Sequence, residues 1–399
     1  MDLKKYKLGD IADIIPGYAF KSTDFLSGEN IVIKIKDIEP PFIDVNNADK
    51  VGFRPNDKYR LEYGDFVLAM TGATIGKVGV NNTHIPNVYI NQRVCKFIPN
   101  EGLCDKNYLY YLLNTDAFRN FIYKNIDSAS AQPNIGHPSI LKFEHYFPNI
   151  EEQKRIGNLL SSLDQKIALN RKINDNLEAI AKQLYDYWFV QFDFPNEEGN
   201  PYKSSGGKMV WNEKLKQEIP DDWSDSTLSE ICVMYQPQTI GTDLLLPNGV
   251  YRVYGANGIV GKYDQYNHED SEIAMACRGN SCGVVNRTMP YSWITGNAMV
   301  LQMKDKGVSN EYIKQSVSYM NISGAISGSG QPQLTRENLN IVKCLKPTHN
   351  ILLSFSQLIE PIVTAQLHII EENDKITKLR DELLPLLMNG QVSVNYHLS

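Results

Sequence analysis

The sequence has no apolar run that approaches the roughly 18 residues needed to span a membrane. It begins Met1-Asp2-Leu3-Lys4-Lys5-Tyr6, without the apolar segment of a secretory signal. These absences predict a cytoplasmic protein with no membrane partner. Cysteine is also sparse, and among the six cysteines only Cys277 and Cys282 form a close pair. A lone C-x4-C lacks the second pair of a typical structural zinc site, so we predict reduced thiols without metal.

An excess of positive charge is missing as well. The formal net charge is -6 at pH 7, and residues 1–150 hold 17 basic and 17 acidic side chains. This balance excludes a protein that holds DNA by charge alone, because phosphate binding relies on lysine and arginine. If the chain binds nucleic acid, it does so through local patches or with the help of a partner.

Catalytic motifs are absent too, including a P-loop and a plausible Ser/His/Asp set. Glu39-Pro40-Pro41-Phe42 imitates the Asn-Pro-Pro-Phe motif of adenine methyltransferases, but a carboxylate replaces the amide and no glycine-rich cofactor loop precedes it. We predict a proline turn there. Glu152-Gln153-Lys154 imitates the end of a nuclease motif, yet it begins a helix, where an acidic side chain favours the helix dipole. The sequence therefore predicts a chain without catalytic residues.

What the sequence does contain is an internal repeat of about 200 residues. A shift of 199 places Gln132-Pro133 on Gln331-Pro332. The offset is 220 near the start, where Leu8-x-x-Ile11 matches Leu228-x-x-Ile231, and about 205 in the middle. A period this long indicates a duplicated globular domain and not a solenoid. We predict two similar domains related by a pseudo-twofold axis.

Each copy combines short β-type runs with a helix, which predicts the α+β class. In the first copy, strands are predicted within residues 31–38, 65–70, 77–80 and 88–90, and a helix over 106–120. In the second copy, strands are predicted at 273–276 and 284–285, and a helix over 311–320.

Each copy ends in a long helix with a heptad pattern. The stripe of the first helix consists of Leu160, Leu163, Ile167, Asn170, Asn174, Leu177, Ala181, Leu184 and Trp188. The stripe of the second consists of Phe355, Ile359, Ile362, Gln366, Ile369, Asn373, Ile376, Arg380, Leu383 and Leu387. Two separate amphipathic helices that cover their own domains are the alternative. Against it, a helix of about nine turns is roughly 50 Å long and exceeds the domain it follows.

We predict that the two long helices form an antiparallel coiled coil that joins the domains. With an axis near residues 172 and 371, the expected neighbours are Asn170 with Asn373, Leu160 with Leu383, and Trp188 with Phe355. The polar centre fixes the register, because a buried asparagine pairs well only with another polar group. The predicted register residues are Asn170, Asn174, Gln366 and Asn373.

Two unlike domains on a rigid rod suit a protein that reads a split target. Domains that read one face of B-DNA must lie about one helical turn, roughly 34 Å, or a multiple of it apart. Because the domains differ in sequence, the two half-targets would differ too. A protein-protein scaffold whose domains bind peptides remains the alternative.

A series of short motifs runs through nearly the whole chain in a fixed order. The motifs are Leu8-Gly9-Asp10-Ile11-Ala12, Gly17-x-x-Phe20-Lys21-Ser22, Glu152-Gln153-Lys154-Arg155-Ile156, Phe192-Asp193-Phe194-Pro195, Pro201-Tyr202-Lys203-Ser204-Ser205-Gly206-Gly207-Lys208-Met209-Val210, Ile219-Pro220-x-x-Trp223, Tyr254-Gly255-Ala256-Asn257-Gly258-Ile259 and Gly328-Ser329-Gly330-Gln331-Pro332. In this order they resemble the specificity subunits of type I restriction-modification complexes.

The resemblance implies two target-recognition domains, at residues 1–148 and 219–347. Conserved helical regions follow at 149–192 and 348–390, with a linker at 193–218 and a C-terminal tail at 391–399. It also implies binding to an asymmetric bipartite site in double-stranded DNA. The implied partners are two methylation subunits, which bind S-adenosylmethionine and modify adenine, and restriction subunits, which need ATP and magnesium. The chain itself would hold no cofactor. A recognition subunit of another defence methyltransferase stays open.

Direct readout uses arginine or lysine for guanine and asparagine or glutamine for adenine, on loops or helix ends. In the first domain the candidates lie in an early segment, in the loop 71–77 and just after residue 90: Lys21, Ser22, Thr71, Thr74, Lys77, Gln92 and Arg93. In the second domain they are centred on the matching loop 277–281: Asn257, Arg278, Asn280, Ser281 and Asn297. A solvated turn residue is the alternative for each. We expect Gln132-Pro133 and Gln331-Pro332 to shape the start of the helical segments.

Overall fold

The structure is a computed structural model that describes residues 2–25, 27–127, 133–328 and 330–394. Gln132 and residues 395–399 of the predicted tail lie outside the described residues. The chain divides into two compact units. The first unit consists of Met1–Leu169 and Asn373–Ser399, and the second of Asn170–Glu372.

The first unit contains eleven strands and four short helices among the described residues, with parts of the two long helices. Its strands are β1 (Lys4–Lys7), β2 (Ala12–Pro16), β3 (Asn30–Ile33), β4 (Ile38–Glu39), β5 (Phe42–Ile43), β6 (Asp49–Val51), β7 (Phe66–Ala69), β8 (Val78–Val80), β9 (Val88–Ile90), β10 (Val94–Pro99) and β11 (Glu144–Phe147). Its helices are α1 (Leu8–Ile11), α2 (Lys106–Leu113), α3 (Asp116–Lys124) and α4 (His137–Ile140), with the beginning of α5 (Ile150–Tyr185) and the end of α9 (His349–Met388).

The strands of the first unit form three sheets, with the orders β2-β10-β7-β8-β5-β4, β6-β3-β9 and β1-β11. Strand β7 is buried on both faces, and its successive side chains point to opposite sides of the sheet. Phe66 and Leu68 pack in the cluster that also holds Leu160 of α5. Val67 and Ala69 pack in a second cluster on the other face. The central sheet thus separates two cores and holds the ends of β7 and β10 in place.

The second unit repeats this topology. Its strands are β12 (Met209–Asn212), β13 (Gln217–Pro220), β14 (Ser224–Thr227), β15 (Cys232–Tyr235), β16 (Tyr251–Gly255), β17 (Gly258–Tyr263), β18 (Ile273–Ala276), β19 (Val285–Arg287), β20 (Trp293–Ile294), β21 (Ala298–Met303), β22 (Ile326–Ser327), β23 (Gln333–Leu334) and β24 (Lys343–Lys346). Its short helices are α6 (Leu228–Ile231), α7 (Asn310–Ser316) and α8 (Arg336–Asn340).

Three sheets of one unit have counterparts in the other, although β4 and β5 of the first unit and the pairs β12-β13 and β22-β23 of the second have none. The order β15-β21-β18-β19 matches β2-β10-β7-β8, and β14-β24 matches β1-β11. The order β17-β16-β20 matches β6-β3-β9, and the pairs β16-β20 and β3-β9 are both parallel. The predicted duplication of an α+β domain is therefore confirmed.

Two predicted elements of the first unit are interrupted by capping side chains. The helix predicted over 106–120 is two helices, because the hydroxyl of Thr115 accepts a hydrogen bond from the Phe118 amide, 3.3 Å away, and starts α3. The strand predicted over 31–38 ends at Ile33. There the Asp37 carboxylate accepts from the Lys34 amide at 2.8 Å and forms a 3₁₀ turn. Both interruptions follow from side chains that compete for backbone hydrogen bonds.

The long helices run antiparallel within the first unit. Arg380 of α9 donates to Asp164 of α5 at 2.6 Å, and the amide of Val394, beyond α9, donates to Glu152 at 3.1 Å. From Arg380 to Val394 the residue number rises, while the number of the partner on α5 falls from Asp164 to Glu152. The two segments therefore run antiparallel. Leu160 and Leu383 pack in the same apolar cluster, as the predicted register requires.

The helices are antiparallel within the second unit too. Trp188 and Phe355 lie with ring centroids 5.9 Å apart, as predicted. Two of the predicted register residues bind carboxylates that lie outside the predicted heptad stripes. Asn170 donates to Glu372 at 2.6 Å, and Gln366 donates to Glu178 at 3.0 Å.

The other two register residues have less defined roles. Asn174 has a covered side-chain oxygen without a hydrogen-bond partner among the described residues. Asn373 belongs to the first unit, so its pairing with Asn170 stays a prediction.

The segment predicted as a linker is a packed element of the second unit. Asp193 accepts from the amide and the hydroxyl of Ser204, at 2.7 and 2.6 Å. Phe194 stacks on Tyr202 and on Trp223, at 4.7 and 4.8 Å between ring centroids. In the described ranges no helix is long and apolar enough to cross a bilayer.

Candidate nucleic-acid interface

The predicted loop 71–77 connects β7 to β8 and is closed by the backbone. The Ala69 amide donates to the Lys77 carbonyl at 3.0 Å, and the Gly76 amide donates to the Ala69 carbonyl at 2.9 Å. Gly72 and Gly76 have φ angles of 75° and 84°, in the left-handed region that a Cβ disfavours. Between them Gly72–Thr74 forms a 3₁₀ turn, so the loop has one defined conformation.

Two further segments bind this loop through their backbones. The Met70 amide donates to the Arg93 carbonyl at 2.9 Å, and the Gly72 amide donates to the Pro133 carbonyl at 2.9 Å. Ile135 returns a bond to the Met70 carbonyl at 3.0 Å, and Thr71 forms a β-bridge with Asn134. We call this arrangement of residues 70–72, 93 and 133–135 the first frame.

The first frame brings together several of the predicted DNA-binding residues. Gln92 and Arg93 are exposed beside it, and Thr71 and Thr74 are partly covered. Their two hydroxyl oxygens have no hydrogen-bond partner within the described residues. Lys77 is exposed at the far end of the loop.

Lys21 and Ser22 lie outside the first frame. The Lys21 amide donates to Asp24 at 2.7 Å and starts the 3₁₀ turn Ser22–Asp24. The Tyr18 carbonyl, three residues before Lys21, accepts from the Gln92 amide at 2.8 Å, next to the frame residue Arg93. Both residues are exposed, and their contact with DNA stays a prediction.

The second unit repeats the frame with the same backbone bonds. The Cys277 amide donates to the Asn297 carbonyl at 3.0 Å, and the Gly279 amide to the Pro332 carbonyl at 2.9 Å. The Leu334 amide donates to the Cys277 carbonyl at 2.9 Å, and Arg278 forms a β-bridge with Gln333. We call residues 277–279, 297 and 332–334 the second frame.

The second frame surrounds a cavity of about 480 Å³. Its lining consists of Ala256, Arg278, Gly279, Asn297, Gln331, Pro332 and Gln333. Of the other predicted residues, Asn280 and Ser281 lie in the 3₁₀ turn that begins at Gly279. Asn257 lies in the turn between β16 and β17, next to the lining residue Ala256.

The predicted role of the two Gln-Pro dipeptides at the start of the long helices is wrong. Pro332 and Pro133 do not lead into the long helices, since β24 and β11 follow them first. Their carbonyls hold the glycine loops, and Gln331 lines the cavity with Arg278. Asn134 and Gln333 were not among the predicted residues, although each directly follows the aligned Gln-Pro dipeptide and the repeat places them at equivalent positions.

The arginines of the two frames are available to a ligand. Among the described residues, Arg93 and Arg278 are exposed and have neither an ion-pair nor a hydrogen-bond partner for the guanidinium. By contrast, Arg380 and Arg119 are held by carboxylates at 2.6 and 2.7 Å. An exposed guanidinium without a protein partner can make a two-pronged contact with guanine or phosphate.

The cysteine next to Arg278 is not a reactive group. Burial raises the pKa of the Cys277 thiol to about 12, so it is neutral at physiological pH. In the described part of the chain, no group of three or more His, Cys, Asp or Glu side chains is placed to hold a metal ion.

A family model gives the two frames a context. The model of the type I restriction modification DNA specificity domain matches residues 1–179 and 220–345, and each match contains one frame. The chain belongs to this family. As a member, it is a DNA-specificity subunit of a type I restriction-modification system and a non-catalytic one.

Individual members of the type I specificity family are similar over much of the chain. The specificity subunit of the type I restriction enzyme MjaIX from Methanocaldococcus jannaschii is 23% identical, over 82% of this chain and 78% of that protein. The HindI specificity subunit from Haemophilus influenzae is 27% identical over 48% of this chain and 42% of that protein.

A solved structure shares the fold. The S subunit of a type I restriction-modification system from M. genitalium has a TM-score of 0.64 and 16% identity, and the match covers 97% of this chain and 96% of that one. This likeness supports the fold described above for the present chain.

Proposed function

We propose that the chain reads an asymmetric, bipartite site in double-stranded DNA, with one half-target for each unit. The supporting observation is that two frames with the same backbone hydrogen bonds carry different exposed side chains. A shared backbone presents residues in the same geometry, and different side chains select different base edges. The chain then supplies DNA specificity to a complex in which other subunits are catalytic.

The proposed partners are two methylation subunits and the restriction subunits. S-adenosylmethionine would be bound by the methylation subunits, and ATP with magnesium by the restriction subunits, so this chain holds no cofactor. Electroneutrality in residues 1–150 supports a need for partners, because few net positive charges are left to bind phosphate. A cytoplasmic location, where the DNA target is, belongs to the same proposal.

We further propose residues 1–148 and 219–347 as the recognition domains, and 149–192 and 348–390 as the helical regions that set the spacing of the half-targets. Residues 193–218 and 391–399 complete the chain. The DNA-binding residues proposed within the recognition domains are those of the sequence analysis, with Asn134, Gln331 and Gln333 added by the frames.

The test is to map modified bases in the genome of cells with and without this chain. The proposal requires an adenine-methylated, split and non-palindromic motif that disappears when the chain is deleted. Exchange of residues 1–148 for the first domain of a family member should then change one half of the motif only. If methylation is indifferent to both changes, a peptide-binding scaffold becomes the better account.

A further inference from the structure

The two frames correspond residue by residue, and three exposed or partly exposed positions differ between them. The matching bonds pair Thr71 with Arg278, Arg93 with Asn297, and Asn134 with Gln333. We propose that these three positions determine which base pairs each unit accepts. The proposal rests on the proposed function and names the residues that carry it.

The side chains at these positions can change without a change in the frame. The matching bonds that join the three segments are backbone bonds, from residues such as Met70 and Gly72 in one unit and Cys277 and Gly279 in the other. In the second unit the Cys282 thiol also donates to the Pro332 carbonyl at 3.1 Å, but Cys282 is not one of the three positions. The glycine angles agree as well, since Gly72 and Gly279 both have φ of 75°. A frame that needs no particular side chain at its exposed positions leaves those positions free to differ in specificity.

The chemistry at the three positions is that of direct base readout. The second unit places one guanidinium, of Arg278, and two amides, of Asn297 and Gln333, around one cavity. Arginine recognises guanine through O6 and N7, and an amide recognises adenine through N6 and N7. This set fits a half-target that contains both G·C and A·T pairs.

The first unit carries one hydroxyl, one guanidinium and one amide at these positions, where the second carries one guanidinium and two amides. Its arginine is on the second segment, as Arg93, and its amide on the third, as Asn134, while Thr71 takes the place of Arg278. Moving the arginine from one segment to the next moves the guanine contact along the DNA. The two half-targets should therefore differ in the position of the pair read by arginine.

Neighbouring positions do not carry a polar side chain in both units. Gln92 corresponds to Gly296, where a Cβ would lie 2.6 Å from the Thr239 hydroxyl and 2.9 Å from the Pro237 carbonyl. Lys77 corresponds to Val284, because the backbone carbonyl of each accepts the hydrogen bond that closes its loop, from the Ala69 and Ala276 amides. At these sites one unit has no polar side chain, so they do not serve both units as readers.

The first experiment compares Arg278→Ala, Arg278→Lys and the control Arg171→Ala in the assembled methyltransferase. Arg171 is an exposed arginine on α5, in the same unit as Arg278. Methylation rates are measured on wild-type sites and on sites with single base-pair changes. We expect both Arg278 variants to lose about ten- to a hundredfold of the discrimination at one pair of the second half-target, because lysine cannot make the forked contact.

Discrimination in the first half-target and the behaviour of Arg171→Ala should stay as in the wild type. If Arg278→Lys keeps full discrimination at every pair, Arg278 supplies charge alone and the proposal is wrong for this position. The unchanged first half-target reports within the same assay that the variant chain is folded and assembled.

The second experiment exchanges the whole set, as R278T/N297R/Q333N, and maps the methylated motif. We expect the second half-target to change and the first to persist. Persistence of the wild-type motif in this variant would overturn the inference while leaving the proposed function intact. A wild-type chain that directs no sequence-specific methylation would instead overturn the proposed function itself.

Discussion

The Glu178 carboxylate of α5 binds side chains of both α9 and α7 within the second unit. Its removal therefore tests the register of the two long helices. It accepts from Lys314 through both oxygens, each at 2.7 Å, from Gln315 at 3.3 Å and from Gln366 at 3.0 Å. Gln366 is 6% exposed. In Glu178→Ala its amide stays buried and loses this partner.

The expected loss in the free energy of unfolding is about 2–3 kcal/mol. A buried polar group that loses its partner costs about 1–3 kcal/mol. The Lys314 pair adds little, about 1 kcal/mol or less, because the Glu178 side chain is 45% exposed and solvent screens the interaction. Lys314 also keeps Glu311 at 3.0 Å. The loss of the Gln366 partner therefore dominates.

The assay is urea unfolding of the purified full chain, followed by helical circular dichroism. Asp175→Ala removes an exposed carboxylate of the same helix and should change the free energy by less than about 0.5 kcal/mol. Gln366→Leu combined with Glu178→Ala should cost less than the sum of the two single changes, by about 1 kcal/mol or more. Strict additivity, or a Glu178→Ala effect equal to the control, would refute the register contact.

The pH dependence of the same effect has a definite sign. Burial raises the pKa of Glu178, but Lys314 and the amides of Gln366 and Gln315 lower it more, so its pKa lies below the ordinary value. A carboxylate with a depressed pKa stabilises the fold above its unfolded pKa and loses this contribution as the pH falls through its folded pKa. The difference between wild type and Glu178→Ala should therefore shrink below about pH 4.

Two further predictions concern the first unit. Burial lowers the pKa of His145, whose Nε2 lies 3.0 Å from the Met388 carbonyl. The folded state therefore resists protonation, and the His145 contribution is present above about pH 6.5 and is lost as the pH falls below it. His145→Gln should flatten the thermal stability profile between about pH 7 and 5, and an unchanged profile would contradict the assignment. Truncation after Gln391 removes Val394, which is 9% exposed and bonds Glu152. It should lower the unfolding free energy by about 2 kcal/mol in urea titration, and an unchanged unfolding free energy would contradict the contact.

Much of the architecture was predictable because it depends on periods in the sequence. The changing offset of the repeat, from 220 to 199, reappears in the frames, where Met70 matches Cys277, Arg93 matches Asn297 and Pro133 matches Pro332. The pseudo-twofold axis of the duplication predicted the antiparallel direction, and together with the heptad stripes it predicted the contact of Trp188 with Phe355. Periodicity of this kind is local information, and side-chain spacing along a helix fixes which face is buried.

The partners across the fold were decided only by the tertiary structure. The sequence identified Asn170 and Gln366 as polar positions in an apolar stripe, but not Glu372 and Glu178 as the groups that bind them. Those carboxylates lie beside the stripe, where a heptad count assigns solvent. Packing geometry, and not periodicity, selects which neighbouring side chain can reach a buried amide.

The same limit holds for the candidate interface. The sequence by itself determined a duplicated α+β domain, two heptad helices and the loops that contain Arg93, Arg278 and Asn297. Only the fold decided that Asn134 and Gln333 lie beside those loops, through backbone bonds between residues 53 to 65 positions apart in the chain. Such bonds depend on where strands end in the sheet, and a backbone amide or carbonyl has no residue-specific signature that a sequence could show.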